Sequence, residues 1–229
     1  MRCILHVNLD SFFVEVERGR RPGLVGKPVI VGTPKGATSG VVVSASSEAR
    51  KAGVEEGTSI RQAQRSCPDA VVLRADYAAY REVSDNFLNI LARYSPLLEP
   101  DSLGGAYVDV TASCKLFGDA SASIISDIFE RLRLPVCVGY APNKLLAGIA
   151  SGMGGKITRI APGSEAVFLA PLPISALDAV NGKIEKRLRE LGVSAIGQLA
   201  RIDERLLVRQ FGPVGSLIKR QSLGIDWSP

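Results

Sequence analysis

Two strand patterns enclose one long helical pattern, and that order constrains the possible folds of this chain more than any other feature. The opening run "RCILHVNLD" alternates as a strand and passes directly into a helical pattern, "SFFVEVERG". From about Asp76 to Tyr94, the residues Tyr80, Val83, Phe87, Ile90, Leu91 and Tyr94 recur at helical spacing and predict a core-facing stripe. Next comes "EPDSLGGAYVDVT", residues 99–111, where Ala106, Val108 and Val110 alternate with Tyr107, Asp109 and Thr111. A helix from about Ala120 to Leu132, the strand "PVCVGYA" and a helix beginning near Asn143 follow. This β-α-β-β-α-β order predicts an α+β chain with a ferredoxin-like (split βαβ) core.

The remaining segments are shorter. "PVIVG" and "VVVSA" read as strands separated by a Gly/Pro/Thr turn region, and "AVVLRA" as another. "EARKAG" and "SIRQAQRSC" read as short helices, the second stopped by Pro68. Beyond the Pro-rich boundary "APLPISAL" the pattern is wholly helical, broken repeatedly by glycine. There "LDAVNGKIEKRLRELGVSAIGQLARI" predicts a helix, a turn at Asn181–Gly182, and a second helix. A helix start after a glycine turn presents backbone N–H groups that suit a phosphate oxygen. Lys183 and Lys186 stand beside it, so Asn181, Gly182, Lys183 and Lys186 form a candidate clamp on a DNA backbone.

Charge placement supports an anionic partner. Between Lys183 and Arg220 there are nine basic and four acidic residues, which equals the whole chain's net charge of +5. No apolar run reaches the roughly 20 residues that span a bilayer, and the start does not read as a signal peptide. The four cysteines lack CxxC spacing and are read as reduced thiols, so a cytoplasmic location is expected. The single histidine, His6, excludes a His-rich metal site and reads as a satisfied core residue. Gly104 and Gly105 open the strand of residues 105–111; glycine there marks a bulge or a close backbone approach.

Taken in order, these segments resemble the Y-family translesion DNA polymerases, in particular the DNA polymerase IV branch. "HVNLDSFFVEVE" resembles the family's opening strand and first helix, and "SASSEARKAGVEEGTSIRQAQRSCP" its fingers segment. "EPDSLGGAYVDVT" and "GYAPNKLLAGIAS" resemble its palm, while "LDAVNGKIEKRLRELGVSAIGQLA" and "FGPVGSLIKRQSLGID" resemble its helix-hairpin-helix thumb. The resemblance implies a palm over residues 1–9 and 72–164, fingers over 10–71 and a thumb over 165–229. It also implies a fourth domain, the little finger, whose start it places where this sequence ends, at "GIDWSP".

The family's chemistry implies two magnesium ions held by three palm carboxylates. The residues at those positions here are Asn8, Gly104 and Gly105, so no catalytic carboxylate is intact. Asp10 is the remaining acidic candidate for a metal ligand, and Glu99 and Asp101 precede the same strand. Of the nucleotide contacts that the resemblance implies, Arg50 remains, Ser47 replaces a tyrosine, and Lys156 lies beside the glycine at a lysine position. Phe13 matches the bulky residue under the sugar, and Lys144 persists while a second lysine position is Gly148. The expectation is a DNA-repair protein of polymerase fold that is catalytically inactive and acts as a DNA-binding or scaffold subunit. Its expected partners are primer-template or damaged DNA and other mutagenesis or replication proteins, with no membrane and no cofactor. The alternative is an active low-fidelity polymerase with a rearranged two-metal site, which would require magnesium.

Overall fold

The computed structural model describes residues 2–33, 40–117 and 119–228 of the chain. The turn region expected between the second and third strands falls largely on residues 34–39 and lies outside the described residues. The larger sheet has five strands in the order β5-β6-β1-β7-β8. They are β1 (Ile4–Leu9), β5 (Leu98–Ser102), β6 (Gly105–Asp109), β7 (Val136–Ala141) and β8 (Ile157–Arg159). β1 lies between β6 and β7 and runs antiparallel to both, as the ferredoxin-like reading requires. Its central position explains its composition: Ile4, Leu5, Val7 and Leu9 are all buried.

One face of this sheet carries α4 (Tyr77–Leu91) and α6 (Ser121–Leu132), packed on Leu5, Val7 and Leu9 through Phe87, Leu91, Ile124 and Ile128. Asp76 caps α4 by accepting from the Ala79 amide at 3.3 Å. The other face receives α7 (Lys144–Ser151), whose Leu146, Ala147 and Ala150 form one core with Ile4 and Ala141. Asn143 caps α7, accepting from the Leu146 amide at 3.0 Å.

A second sheet, of order β3-β2-β4, contains β2 (Val29–Gly32), β3 (Val42–Ala45) and β4 (Val71–Arg74). Against it pack α2 (Ser47–Lys51) and α3 (Ile60–Ser66), with Ile30, Val42, Ala45, Ala49 and Ala63 between them. α1 (Phe12–Arg20) joins the two sheets. Arg18 on α1 donates to Glu15 at 2.8 Å and to Glu48 of α2 at 2.7 Å. Burial pushes the Glu48 carboxyl up, but hydrogen bonds from its own amide, Ser46 and Arg18 outweigh that and hold it at about 2. A depressed carboxylate contributes stability that is present above its unfolded value of 4.5 and is lost as pH falls from there towards about 2. The urea midpoint is therefore expected to fall between about pH 5 and about pH 2, and Glu48→Gln to reduce that fall.

The C-terminal part is helical: α8 (Glu165–Leu169), α9 (Gly182–Glu190), α10 (Ile196–Leu199), α11 (Glu204–Phe211) and α12 (Val214–Ser222). Leu169, Leu188, Ile196, Leu199 and Ile218 continue the core under α7. Three contacts bind the tail to the large sheet's elements: Asn143 to the Gly224 carbonyl at 2.8 Å, the Leu145 amide to Asp226 at 3.0 Å, and Arg2 to the Ser228 carbonyl at 2.7 Å.

The structure differs from the sequence expectation at several places. A helix was expected ahead of the Asn181–Gly182 turn, but that segment is a single 3-10 turn, Ile174–Ala176. The Asn181 cap fixes the next helix start at Gly182 and leaves only residues 177–180 ahead of it, too few to nucleate a helix of their own. α5 (Thr111–Phe117) and the three-residue β8 were not anticipated. β5 was required by the β-α-β-β-α-β order, although most of its residues are exposed at the sheet edge and no apolar alternation marks it.

Candidate functional site

The three positions that the resemblance assigns to metal-binding carboxylates converge in space. Antiparallel register pairs Asn8 on β1 with Gly105 on β6 and, on its other side, with Cys137 on β7. The Leu9 amide donates to the Gly104 carbonyl at 2.7 Å, which closes the same junction. β1 then ends in Asp10 and Ser11, and Ser11 adopts a left-handed φ of 50° to start α1. A cavity of about 240 Å³ opens here, lined by Asn8, Asp10, Phe13, Arg50, Glu56 and Gly104 among others.

Two of the charges around this cavity satisfy each other. Arg50 donates to Asp10 at 3.1 Å and to the Ser11 hydroxyl at 2.8 Å, so the arginine expected to face a triphosphate is held by an acid of the same chain. Partial desolvation in the cavity raises the carboxyl of Glu56, which is otherwise exposed; the charge of Arg50 opposes that and the charge of Asp10 adds to it. Burial also raises the Cys137 thiol, with Asp10 adding to it, which disfavours the thiolate. Phe13 lines the cavity while stacking on Tyr80, with ring centroids 4.7 Å apart, and so serves both as wall and as core.

The two glycines are places of close approach as well as positions without a ligand. A Cβ on Gly104 would lie 2.8 Å from the Cβ of Phe12, and a Cβ on Gly105 would fall on Oδ1 of Asp101. Asp101 reaches that point because β5 carries an irregularity opposite Gly105: Pro100 pairs with Ala106, but Ser102 pairs with Gly105. Asp101 is the extra residue of this bulge, a device that re-aims a side chain. Its Oδ2 meets Nε2 of His6 at 3.0 Å, and that hydrogen bond chiefly lowers the Asp101 carboxyl.

These residues do not fit a pair of divalent magnesium ions. Asn8 offers a neutral amide and the glycines no side chain, whereas two dications need anionic ligands to offset their repulsion. Asp10 is paired with Arg50 and Asp101 with His6. Among the described residues no group of three or more His, Cys, Asp or Glu side chains is placed to hold a metal ion. Ser47 and Lys156 do not line the cavity; the Ser47 hydroxyl donates to Glu48 at 3.3 Å, and Lys156 is exposed. Lys144 is committed to Glu99 at 2.6 Å, and a Cβ at Gly148 would lie 2.7 Å from the Tyr107 hydroxyl.

In the helical part, Asn181 caps α9 by accepting from the amides of Lys183 and Ile184, each at 3.1 Å. Two of the N–H groups expected to face a phosphate are therefore occupied. Several cations of this part are also committed internally: Arg187 to Glu190 at 3.0 Å, Arg189 to Glu185 at 2.8 Å, and Lys219 to the Ala200 carbonyl at 2.6 Å. Arg220 lies over the Trp227 ring, 4.5 Å from its centroid. Lys183 and Lys186 have no ion-pair partner among the described residues.

A ferredoxin-like sheet joined to a small second sheet and a helical C-terminal part is the architecture of Y-family polymerase structures. Residues 7–152 match the profile of the IMS, impB/mucB/samB family. The chain belongs to this family and is a Y-family DNA polymerase homologue. DNA polymerase IV of Pelotomaculum thermopropionicum is 38% identical over 236 residues, covering 100% of this chain and 58% of the relative. DNA polymerase IV of Dehalococcoides mccartyi is 38% identical over 234 residues, covering 100% of this chain and 60% of the relative. The chain thus spans about three fifths of the length of these curated relatives. Among solved structures, DinB from Sulfolobus solfataricus superposes with a TM-score of 0.89 at 28% identity, covering 99% of this chain and 68% of that one. An insertion ternary complex of Dbh DNA polymerase gives 0.87 at 28% identity, covering 99% and 69%. No helix among the described residues is long and apolar enough to cross a membrane.

Proposed function

We propose that this chain is a non-catalytic, DNA-binding member of the translesion polymerase family, acting as a scaffold or accessory subunit. The observation that carries this reading is the junction of Asn8, Gly104 and Gly105: three converging positions without a carboxylate, ringed by acids already paired to Arg50 and His6. Nucleotidyl transfer by two metals needs anionic ligands at that point. In this reading residues 1–9 and 72–164 act as the palm, 10–71 as the fingers and 165–229 as the thumb. The thumb binds the DNA backbone through Lys183, Lys186 and the helix start at Gly182, without reading sequence. Other mutagenesis or replication proteins are the partners that a scaffold would serve, and no cofactor is needed.

A second reading, an active low-fidelity polymerase that uses magnesium, is favoured by one observation: relatives at 38% identity are named DNA polymerase IV. Primer extension with magnesium or manganese, run beside DNA binding across a salt series, separates the two. The expected result is no incorporation, with binding to primer-template DNA that weakens as salt rises. Lys183→Ala with Lys186→Ala is expected to reduce the salt slope by about 2. Extension that disappears in Asp10→Asn would overturn the proposal in favour of the second reading.

A further inference from the structure

The chain's four thiols are all free, and two of them converge although they lie far apart in sequence. Cys3 directly precedes β1, and Cys114 sits in the first turn of α5. The Val110 amide donates to the Cys3 carbonyl at 3.0 Å, and the Cys114 amide donates to the Val110 carbonyl at 2.7 Å. Val110 is thus the strand partner of one cysteine and the helical partner of the other. The Cys3 amide also donates to the Thr111 hydroxyl at 2.9 Å, so backbone pairing holds the two residues side by side.

Their side chains meet at a single group. The Tyr140 hydroxyl of β7 lies 3.0 Å from Sγ of Cys114 and 3.1 Å from Sγ of Cys3. A hydroxyl carries one proton, so it donates to one sulfur and accepts from the other thiol. Both cysteines are half-buried. Burial chiefly raises the Cys3 thiol; the Tyr140 hydrogen bond opposes that, and the neighbouring Cys114 thiol adds to it. The other two cysteines are placed differently: Cys67 is buried in the core of the second sheet, and Cys137 stands opposite Asn8.

We infer that Cys3 and Cys114 form an oxidation site, closed to a disulfide by a peroxide. One thiolate attacks a peroxide oxygen, the O–O bond breaks, and a sulfenic acid forms with release of water. The sulfur of the second cysteine then attacks that sulfenic sulfur. Hydroxide is displaced and leaves as water with the proton of the second thiol. Two thiols lose two electrons, and one hydrogen peroxide is reduced to two waters. Burial keeps the Cys3 thiolate scarce, so the bridge answers sustained oxidant rather than a brief pulse. The closed loop runs from residue 3 to residue 114 and contains the whole second sheet. It locks the start of β1 to α5, beside Arg2, which holds Asp109 and the Ser228 carbonyl.

The test uses the full chain without DNA or nucleotide, so it can fail independently of the primer-extension result. The reduced protein is treated with hydrogen peroxide at low protein concentration, then unfolded and alkylated. Peptide mapping without reductant is expected to find Cys3 linked to Cys114 within one chain, with Cys67 and Cys137 alkylated. Tm is expected to rise by at least about 5 °C, as so long a loop implies, and to return with dithiothreitol. Cys3→Ser and Cys114→Ser are each expected to abolish the linked pair and the rise. If a serine variant does not fold, mapping of the wild-type chain decides alone. Four alkylated thiols after peroxide would overturn the inference. So would a bridge to Cys67 or Cys137, a bridge between two chains, or sulfinic acid at Cys3 or Cys114 with no bridge.

Discussion

Restoring the three acidic side chains together, Asn8→Asp with Gly104→Asp and Gly105→Glu, is expected to destabilise the fold and leave primer extension undetectable. A Cβ at Gly104 would sit 2.8 Å from the Phe12 Cβ and 3.0 Å from its Cγ, and the Cβ, fixed by the backbone, cannot escape by a rotamer change. Overpacking of this kind costs about 1–3 kcal/mol. At Gly105 the new side chain displaces Asp101 from His6, and the added carboxylates crowd Asp10 and Asp101. A drop in Tm of several degrees, roughly 2–4 °C per kcal/mol for a chain of this size, is the expected reading in thermal melts. Adding Asp101→Ala to the triple variant is expected to recover part of that loss, because it frees the space over Gly105. A triple variant with wild-type Tm and magnesium-dependent extension would show that only charge was missing.

The largest single-residue effect is expected from Gly139→Ala. Gly139 lies on β7 opposite His6, where α7 crosses the sheet. A Cβ there would fall on the Ala147 carbonyl oxygen and lie 2.6 Å from the Ser151 amide, both of them helix backbone. Backbone cannot move aside as a side-chain end can, so α7 must lift off the sheet and carry Ser151 away from His6, its hydrogen-bond partner. The expected cost is at least about 3 kcal/mol, the upper end of overpacking penalties. Gly19→Ala on α1 is the control: nothing lies within 4 Å of its Cβ position, and helix propensity predicts a gain of up to about 1 kcal/mol. Chemical denaturation of both variants checks the contrast, and equal stabilities would refute the close-packing account.

Much of the architecture was legible because burial imposes periodicity. β1 and the helix over Tyr77–Leu91 face the core, and their apolar residues recur at the spacing of a strand or a helix. β5 was legible only through the β-α-β-β-α-β order, because an exposed edge strand containing Pro100 carries no such periodicity. The helix expected before Asn181 failed for another reason: only residues 177–180 stand between the 3-10 turn and the Asn181 cap, too short a run to nucleate. In the helical C-terminal part, Lys183 and Lys186 were read as cations available to DNA. That Asn181 spends its side chain on its own helix is a matter of cap geometry, which residue type alone leaves open.

By itself, the sequence determined that Asn8, Gly104 and Gly105 bring no carboxylate to the chain, because ligand chemistry is a property of residue type. It also determined the family, through segments in the right order, since strand and helix patterns follow local spacing. Only the tertiary structure decided what surrounds those three positions. That depends on register: one bulge turns Asp101 onto His6, and one left-handed residue, Ser11, sets the start of the helix that puts Phe12 against Gly104. Residues far apart in sequence meet there because backbone pairing places them, and no local pattern encodes that meeting.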